Sequence, residues 1–190
     1  MSTPLPITED ENAARKRWAK TCGEVTEAMK AHTRPFITPL SKETQESVWL
    51  EGSGSYVCLA NHRVLLTCEH VSLTGPLDHQ FKGSENVYRA QRFVESKFLD
   101  ISFTPMNDHA WNATQHHADA IPFARFASSH HLATQEELLF IHGFAGENSG
   151  FALETLTSNA SAYVSQQKED VAPNEKVFEV FWEPEQAEFT

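Results

Sequence analysis

Histidine is the residue type in this sequence that is best placed for chemistry, and His70 has the most defined setting. It lies near the end of GSGSYVCLANHRVLLTCEHV, residues 52–71. There a Gly-Ser-Gly turn leads into a β-like run, Asn61-His62 form a tight turn, and a second apolar run ends at Thr67. An imidazole titrates near neutral pH, so it can accept and return a proton. A lone histidine after an apolar strand is usually structural; the turn and hairpin favour a functional role for His70.

The same segment resembles the first barrel of the trypsin-like (chymotrypsin-fold) serine peptidases. That family has a Gly-Ser-Gly segment, a hairpin, and a Thr-small-small-His-Val/Cys segment that places its general-base histidine at a strand end. By this resemblance His70 is the general acid/base, Cys68 suits a small position, and Glu69 departs from the usual small residue. The segment ELLFIHGFAGE is similar to the opening strand of the second barrel, so the resemblance covers about residues 47–182.

The family's chain order of histidine, aspartate and serine implies an aspartate that orients the imidazole and stabilises its cation. Two candidates are Asp100, in FLDISFTP, and Asp119, in HHADAIPFARFA. The family aspartate stands just before the last strand of the first barrel, in an Asp-[Leu/Ile/Ala]-Ala-like turn. Asp119 precedes a predicted strand at 120–127, whereas Asp100 lies inside a predicted strand at 98–104. We therefore expect Asp119 to lie within hydrogen-bond distance of His70, about 2.6–3.2 Å, with Asp100 as the alternative.

The family's nucleophile, carried in Gly-Asp-Ser-Gly-Gly, has no convincing match here. The nearest segment is GENSGF, which contains Ser149 but has Asn in place of Asp and Phe in place of the second Gly. It also directly follows the predicted first strand of the second barrel, which is early for a nucleophile loop. We therefore interpret Ser149 as an ordinary loop serine and expect the catalytic serine to be supplied beyond Thr190.

A cluster of histidines between residues 109 and 131 raises the alternative of a metal-dependent hydrolase. Their spacing fits neither HExxH nor a Cys/His finger, and adjacent histidines on a strand point to opposite faces. We therefore expect no metal and no other cofactor, and interpret these residues as loop histidines: His109, His116, His117, His130 and His131.

Composition restricts the class of partner. The formal net charge is −11, so the chain repels phosphate backbones and anionic lipid surfaces, which argues against nucleic-acid and membrane partners. The first residues contain no apolar signal region and no run approaches a membrane span, which predicts a cytoplasmic protein. The cysteines are Cys22, Cys58 and Cys68, an odd number that favours thiols over a disulfide framework.

Hydrophobic periodicity predicts a helix followed by short strands. From residue 8 to about 31, an apolar stripe of Trp18, Cys22, Val25 and Met29 predicts one buried helical face. After it come short apolar runs at 47–50, 55–60, 63–67, 87–94, 98–104, 120–127, 138–144, 160–164 and 177–182. Runs of this length with no helices between them are typical of an all-β barrel or sandwich.

The resemblance implies two antiparallel barrels of the trypsin type, the second only partial. We expect a helical extension at 1–46, a first β-barrel with His70 and Asp119 at 47–130, and a partial second β-barrel at 131–190. The implied activity is hydrolysis of peptide bonds in a protein or peptide substrate. A C-terminal segment or companion chain would complete the second barrel. The alternative is an inactive protease-like module that binds a protein partner.

Overall fold

In the computed structural model the described residues are 9–44, 47–126, 137–152, 155–166, 168, 180 and 188–189. They form one long helix and two antiparallel sheets. The helices are α1 (Glu9–Thr33), α2 (Glu69–Ser72) and α3 (Asp108–Ala113), with 3-10 turns at Arg34–Phe36 and Phe123–Arg125. The strands are β1 (Ile37–Glu43), β2 (Val48–Leu59), β3 (His62–Thr67), β4 (Asp78–Gln80), β5 (Val87–Arg89), β6 (Val94–Ser96), β7 (Ile101–Pro105), β8 (Ile121–Pro122), β9 (Leu139–Ala152), β10 (Thr155–Ser165) and β11 (Glu188–Phe189).

The first sheet has the strand order β5-β4-β1-β2-β3-β7-β6, with antiparallel pairing throughout this path. Strand β8 adds a short parallel pairing to β2. Within the described residues the end strands β5 and β6 do not pair with each other, so the sheet is not closed into a barrel. The all-β class predicted from the sequence is confirmed, whereas the trypsin-type double barrel stays a prediction.

The hairpin of β2 and β3 differs in its turn from the predicted one. Leu59 pairs with His62, and the two turn residues between them are Ala60 and Asn61, with φ of 46° and 71°. Positive φ at both turn positions matches the right-handed twist of the strands, and asparagine tolerates it. His62, which the sequence placed in the turn, is the first residue of β3.

The core of the first sheet is largely aromatic. Tyr56 lies at its centre, fully buried, with its ring centroid 5.2 Å from that of Trp111 and 5.6 Å from that of Phe81. Its hydroxyl is 3.1 Å from Nδ1 of the buried His79. Aliphatic residues of β1, β3, α2 and the following loop complete this core: Leu40, Leu65, Val71 and Leu77.

The second sheet, in the order β11-β10-β9, is joined to the first through β2 and β9. Ser53 Oγ on β2 accepts a hydrogen bond from the Phe144 N–H at 2.6 Å and donates to the Phe144 carbonyl at 3.1 Å. A small apolar cluster from both sheets contains Ile37, Leu50, Phe144 and Ala160. Strand β1 pairs with β2 along its whole length, although it lies inside the range predicted as a helical extension, 1–46.

Helix α1 agrees in extent with the predicted helix but buries less of its stripe than predicted. Trp18 is 50% exposed, and Cys22, Val25 and Met29 are only half-buried. The helix contacts β9 and β10, and its last residue lies at that contact, where Thr33 Oγ1 is 2.6 Å from His142 Nδ1. Within this chain the described strands therefore do not cover Trp18, and burial of the stripe against another chain, the alternative expectation, stays a prediction. Among the described residues, no helix has the length and apolar character needed to cross a lipid bilayer.

The Gly-Ser-Gly segment provides a first test of the packing. A methyl group on Gly54 would lie 2.7 Å from Leu65 Cδ1 and 3.3 Å from two atoms of Leu40. We expect Gly54→Ala to lower the free energy of unfolding by about 1–3 kcal/mol through overpacking. The matched control is Gly23→Ala in α1, where nothing lies within 4 Å of the added methyl group. That change should stabilise the protein by up to about 1 kcal/mol through helix propensity. Urea unfolding measures both, and equal effects would contradict this packing.

Two histidines with lowered pKa values, the buried His79 and the half-buried His142, make the stability depend on pH. Burial lowers the pKa of His79 to about 4, and burial with two nearby cations lowers that of His142 to about 4. Unfolded histidines, with a pKa of about 6.5, take up protons as the pH falls through 6.5, whereas the folded ones do not until about 4. The free energy of unfolding is therefore highest above pH 6.5 and falls towards pH 4, by about 3 kcal/mol for a shift of His79's size.

The contribution of His79 can be separated by substitution. In His79→Gln the fall in the free energy of unfolding between pH 6.5 and 4 should be smaller than in the parent protein. Because His142 titrates in the same window, some dependence should remain. His109→Gln, a change at an exposed position, is the control and should leave the dependence unchanged. Urea unfolding at several pH values is the measurement, and identical profiles for all three proteins would contradict this account.

Candidate functional site

His70 lies just beyond the end of β3. The strand ends at Thr67, Cys68 continues in an extended conformation, and α2 begins at Glu69 with His70 in its single turn. Thr67 Oγ1 donates to the Ser53 carbonyl at 2.8 Å, which ties this strand end to β2. The His70 side chain is 69% exposed. The prediction that His70 follows a strand end is thus confirmed.

Gly52, the first glycine of the Gly-Ser-Gly segment, supports this placement because it has no side chain. A methyl group on Gly52 would lie 3.0 Å from a methyl carbon of Val71, the residue after His70. Val71 is buried and belongs to the main core. Close packing of Val71 over Gly52 therefore fixes α2, and His70 with it, against β2.

Asp100 occupies the turn that leads into β7, immediately before Ile101. Its φ is 49°, in the left-handed region that aspartate tolerates better than most residues. The turn is closed by a backbone hydrogen bond from Leu99 to Ser96 at 3.0 Å. Because β7 pairs with β3 in the register Thr67 opposite Ser102, this turn lies beside the residues that follow β3.

The Asp100 carboxylate contacts both the backbone N–H and the ring of His70. Oδ1 accepts the His70 backbone N–H at 3.1 Å, and ring atom Nδ1 is 3.0 Å from Oδ1 and 2.9 Å from Oδ2. The backbone N–H and then the ring of His70 hold the pKa of Asp100 below its ordinary value. An ionised carboxylate only accepts hydrogen bonds, so in the neutral imidazole the proton is on Nδ1. Nε2 is left as an acceptor, which is the state required of a general base.

Asp119 does not pair with His70, so the expected contact between them was wrong. Its side chain is exposed, and its Oδ1 accepts the Ala120 N–H at 2.7 Å. Its backbone N–H donates to Pro35 at 2.9 Å. The physical reason is strand pairing: Asp119 precedes β8, which pairs with β2 at Val57 and not with β3. The aspartate that the structure brings to His70 is the alternative, Asp100.

A signal for Asp100 was present in the sequence. In the Asp-[Leu/Ile/Ala]-Ala-like pattern, Asp100-Ile101-Ser102 has a small residue at the third position, whereas Asp119-Ala120-Ile121 has a large one. The predicted strand began at Phe98, which placed Asp100 inside it. The observed strand begins at Ile101, after the turn. An error of a few residues at a strand boundary was therefore enough to exchange the two aspartates.

Behind the pair, a buried hydroxyl contact joins α2 to β7. Ser72 Oγ and Ser102 Oγ are 2.8 Å apart, and Ser102 is fully buried. Ser72 Oγ also lies 2.9 Å from the Glu69 carbonyl, to which it donates. These contacts hold the segment of His70 and the strand of Asp100 at a fixed separation.

Ser149 lies in a different setting from the one predicted. The GENSGF segment is not a loop after a strand; it is part of β9, where Ser149 is the register partner of Ser158 on β10. The backbone of a strand does not make the tight turn that gathers amide donors around a nucleophile. The backbone therefore gives no support to Ser149 as a nucleophile.

The histidine-rich region is not a metal cluster in the part of the chain that the structure describes. His116 uses both ring nitrogens locally: Nε2 is 2.9 Å from the Trp111 carbonyl, and Nδ1 accepts the Ala118 N–H at 3.1 Å. His109 and His117 are exposed. The remaining two histidines of the region, His130 and His131, lie outside the described residues.

Cys68 lies close to the pair. In the part of the chain that the structure describes, Cys68, His70 and Asp100 form a group of metal-ligating residue types whose donor atoms all lie within 4.8 Å of one another. Partial burial, and then the charge of Asp100, raise the pKa of the Cys68 thiol. A neutral thiol is a poorer nucleophile than a thiolate.

The surface around the pair is apolar. In β7 the alternation is inverted: Ser102 and Thr104 point into the core with no exposure, whereas Ile101 and Phe103 remain 40% and 38% exposed. The exposed apolar side chains of this surface belong to α2's C-terminal end, β6, β7 and the turn between the strands: Leu73, Val94, Phe98, Leu99, Ile101 and Phe103. An apolar surface of this kind beside a polar pair is typical of a contact site.

Comparison with known proteins identifies no relative. No protein-family model, no curated protein and no solved structure matches this chain.

The geometry predicts a specific effect of Asp100→Asn on the tautomer of His70. The amide oxygen should stay on the His70 backbone N–H, which leaves the NH2 group facing Nδ1. Because that group only donates, the imidazole must move its proton to Nε2. Ring nitrogen shifts in ¹⁵N NMR should change from the Nδ1–H to the Nε2–H form. Asp119→Asn is the matched control and should show the parent pattern; the opposite assignment of the two variants would contradict the pairing.

Proposed function

We propose that this chain carries the proton-transfer pair of a trypsin-like serine endopeptidase, with His70 as general acid/base and Asp100 as the residue that orients it. The observation that supports this most directly is the double contact of the Asp100 carboxylate, with the backbone N–H and with Nδ1 of His70. Asp100 thereby takes the role that the sequence assigned to Asp119. The substrate class is a protein or peptide.

In this proposal the imidazole acts through Nε2. Nε2 accepts the proton of a serine hydroxyl as the serine oxygen attacks the peptide carbonyl. The imidazolium then gives that proton to the leaving amine, and the peptide C–N bond breaks to leave an acyl-enzyme. Water then attacks the acyl-enzyme and gives a proton to Nε2. The imidazolium returns that proton to the serine oxygen as the ester bond breaks, which releases the acid product and the free serine. Asp100 stays ionised and stabilises the imidazolium through Nδ1–H.

The nucleophile and the oxyanion donors are proposed to come from a segment beyond Thr190 or from a companion chain. Two observations support this. The pair itself is open to solvent, with His70 69% and Asp100 51% exposed, and no hydrogen bond to His70 Nε2 arises from the described part of the chain. The apolar side chains of β7 face outward beside it. A second barrel packed there would cover those side chains and bring a serine towards Nε2.

The second candidate is a protease-like module that binds a protein and performs no catalysis. The same outward apolar face of Ile101 and Phe103 favours it, since a contact surface does not require a nucleophile. The two candidates differ in whether they need the Nδ1–H tautomer of His70. A binding module would tolerate Asp100→Asn, whereas a peptidase would not.

Peptide hydrolysis provides the test. The 190-residue chain alone should cleave a broad peptide library at near background rate, because it lacks an activated serine and oxyanion donors. Supplied with the chain that follows Thr190 in its reading frame, or with a companion chain, it should cleave. In that active protein Asp100→Asn should lower kcat by about 10⁴-fold, and Asp119→Asn should have no effect.

Two outcomes would contradict the proposal. Cleavage by the 190-residue chain alone, abolished by Ser149→Ala, would place the nucleophile in β9. Stable binding of a companion chain without cleavage, unchanged by Asp100→Asn, would establish the binding module instead.

A further inference from the structure

The three metal-binding side chains at the candidate site come from two segments that the fold brings together. Cys68 and His70 flank Glu69 after β3, and Asp100 ends the turn before β7. A thiol sulfur, a ring nitrogen and a carboxylate oxygen lie within 4.8 Å of one another. All three residues are exposed, so an ion can reach them from solvent. Sulfur, nitrogen and oxygen donors in this combination are those that zinc binds, and three protein ligands leave one position open.

The spacing is close to that of a zinc site. Bonds of about 2.0–2.3 Å in tetrahedral geometry place donor atoms about 3.3–3.8 Å apart. The most widely spaced donors therefore need to approach by about 1–1.5 Å at most, and the ring nitrogen and carboxylate oxygen that are 2.9 Å apart need to separate by about 0.4–0.9 Å. Rotation of exposed side chains achieves this, while the pairing of β3 with β7 keeps the two segments in place.

We propose that Cys68, His70 and Asp100 bind a zinc ion, and that the bound ion switches off His70 as a base. On binding, the thiol releases its proton to solvent and sulfur becomes a thiolate ligand. The ring atom that faces Asp100 is Nδ1. When zinc takes that position, the neutral imidazole carries its proton on Nε2, and Nε2–H no longer accepts a proton from a hydroxyl. Binding itself is independent of the proposed peptidase function, whereas the inhibition rests on it.

The binding part is tested with cobalt as a spectroscopic substitute for zinc. Titration of the full chain with Co²⁺ should produce a thiolate-to-cobalt charge-transfer band that excess Zn²⁺ removes. Cys68→Ser should abolish the band, and Asp100→Asn should weaken Co²⁺ binding by about tenfold or more. Cys22→Ser, at a half-buried thiol on α1, is the matched control and should retain the band. Absence of the band in the parent chain, or its loss in Cys22→Ser alone, would overturn the site.

The consequence for His70 is tested separately by ¹⁵N NMR of its ring. Addition of Zn²⁺ should shift His70 from the Nδ1–H to the Nε2–H form, and Cys68→Ser should require much more zinc for the same change. Zinc binding that leaves Nδ1–H in place would overturn the switch.

In an active assembly, Zn²⁺ should inhibit peptide cleavage, and Cys68→Ser should raise the concentration needed. If no assembly cleaves peptides while the cobalt band depends on Cys68, the metal site stands and the peptidase proposal fails. If cleavage occurs and Zn²⁺ at concentrations that saturate the cobalt-binding site does not reduce it, the peptidase stands and the inhibitory role is overturned.

Discussion

The candidate site depends on the antiparallel pairing of β3 with β7. In the register Thr67 opposite Ser102, the chain leaves β3 where it begins β7. The residues that follow one strand and those that precede the other therefore meet at one edge of the sheet, although thirty positions separate His70 from Asp100 in the chain. Neither residue is held by its own segment alone. Loss of this pairing would separate the imidazole from the carboxylate even if every local turn were kept.

The surroundings of the pair show how the fold divides rigidity and access. On the inner side, Val71 packs against Gly52, and the buried hydroxyls of Ser72 and Ser102 join α2 to β7. On the outer side, the pair and the apolar residues of β7 are open to solvent. Close packing behind the pair fixes its geometry, and the open front leaves its ring and carboxylate accessible from solvent. The inverted alternation of β7 gives this strand an apolar outer face in addition to its polar inner one.

The chemistry available to His70 is decided by the position of a single proton. An ionised Asp100 keeps that proton on Nδ1 and leaves Nε2 as an acceptor. Any group that donates a hydrogen bond to Nδ1, or binds the lone pair of Nδ1, moves the proton to Nε2. The thiol of Cys68 lies close enough to the pair to be the third donor of the proposed zinc site. Cys68, which matched a small position of the peptidase pattern, thus brings a thiol donor that a smaller side chain would lack.

The sequence by itself determined the local features. The apolar runs and turn residues located the β2–β3 hairpin and the strand end before His70, and the helical periodicity located α1 to within a few residues. These are consequences of short-range constraints: side-chain alternation, the conformational freedom of turn residues, and the period of a helix. The antiparallel all-β class followed from the same patterns.

Only the tertiary structure decided which residues meet. Asp100 and Asp119 both precede apolar segments, and local sequence does not state which segment pairs with β3. The same limit applies to the GENSGF segment, which reads as a loop but extends β9 because β10 supplies its hydrogen-bonding partners. It also applies to Trp18, whose place on an apolar stripe says nothing about whether a neighbour covers it. Strand pairing and burial are contacts between distant parts of the chain, and their free energy depends on the packing of all partners together, so no single segment encodes them.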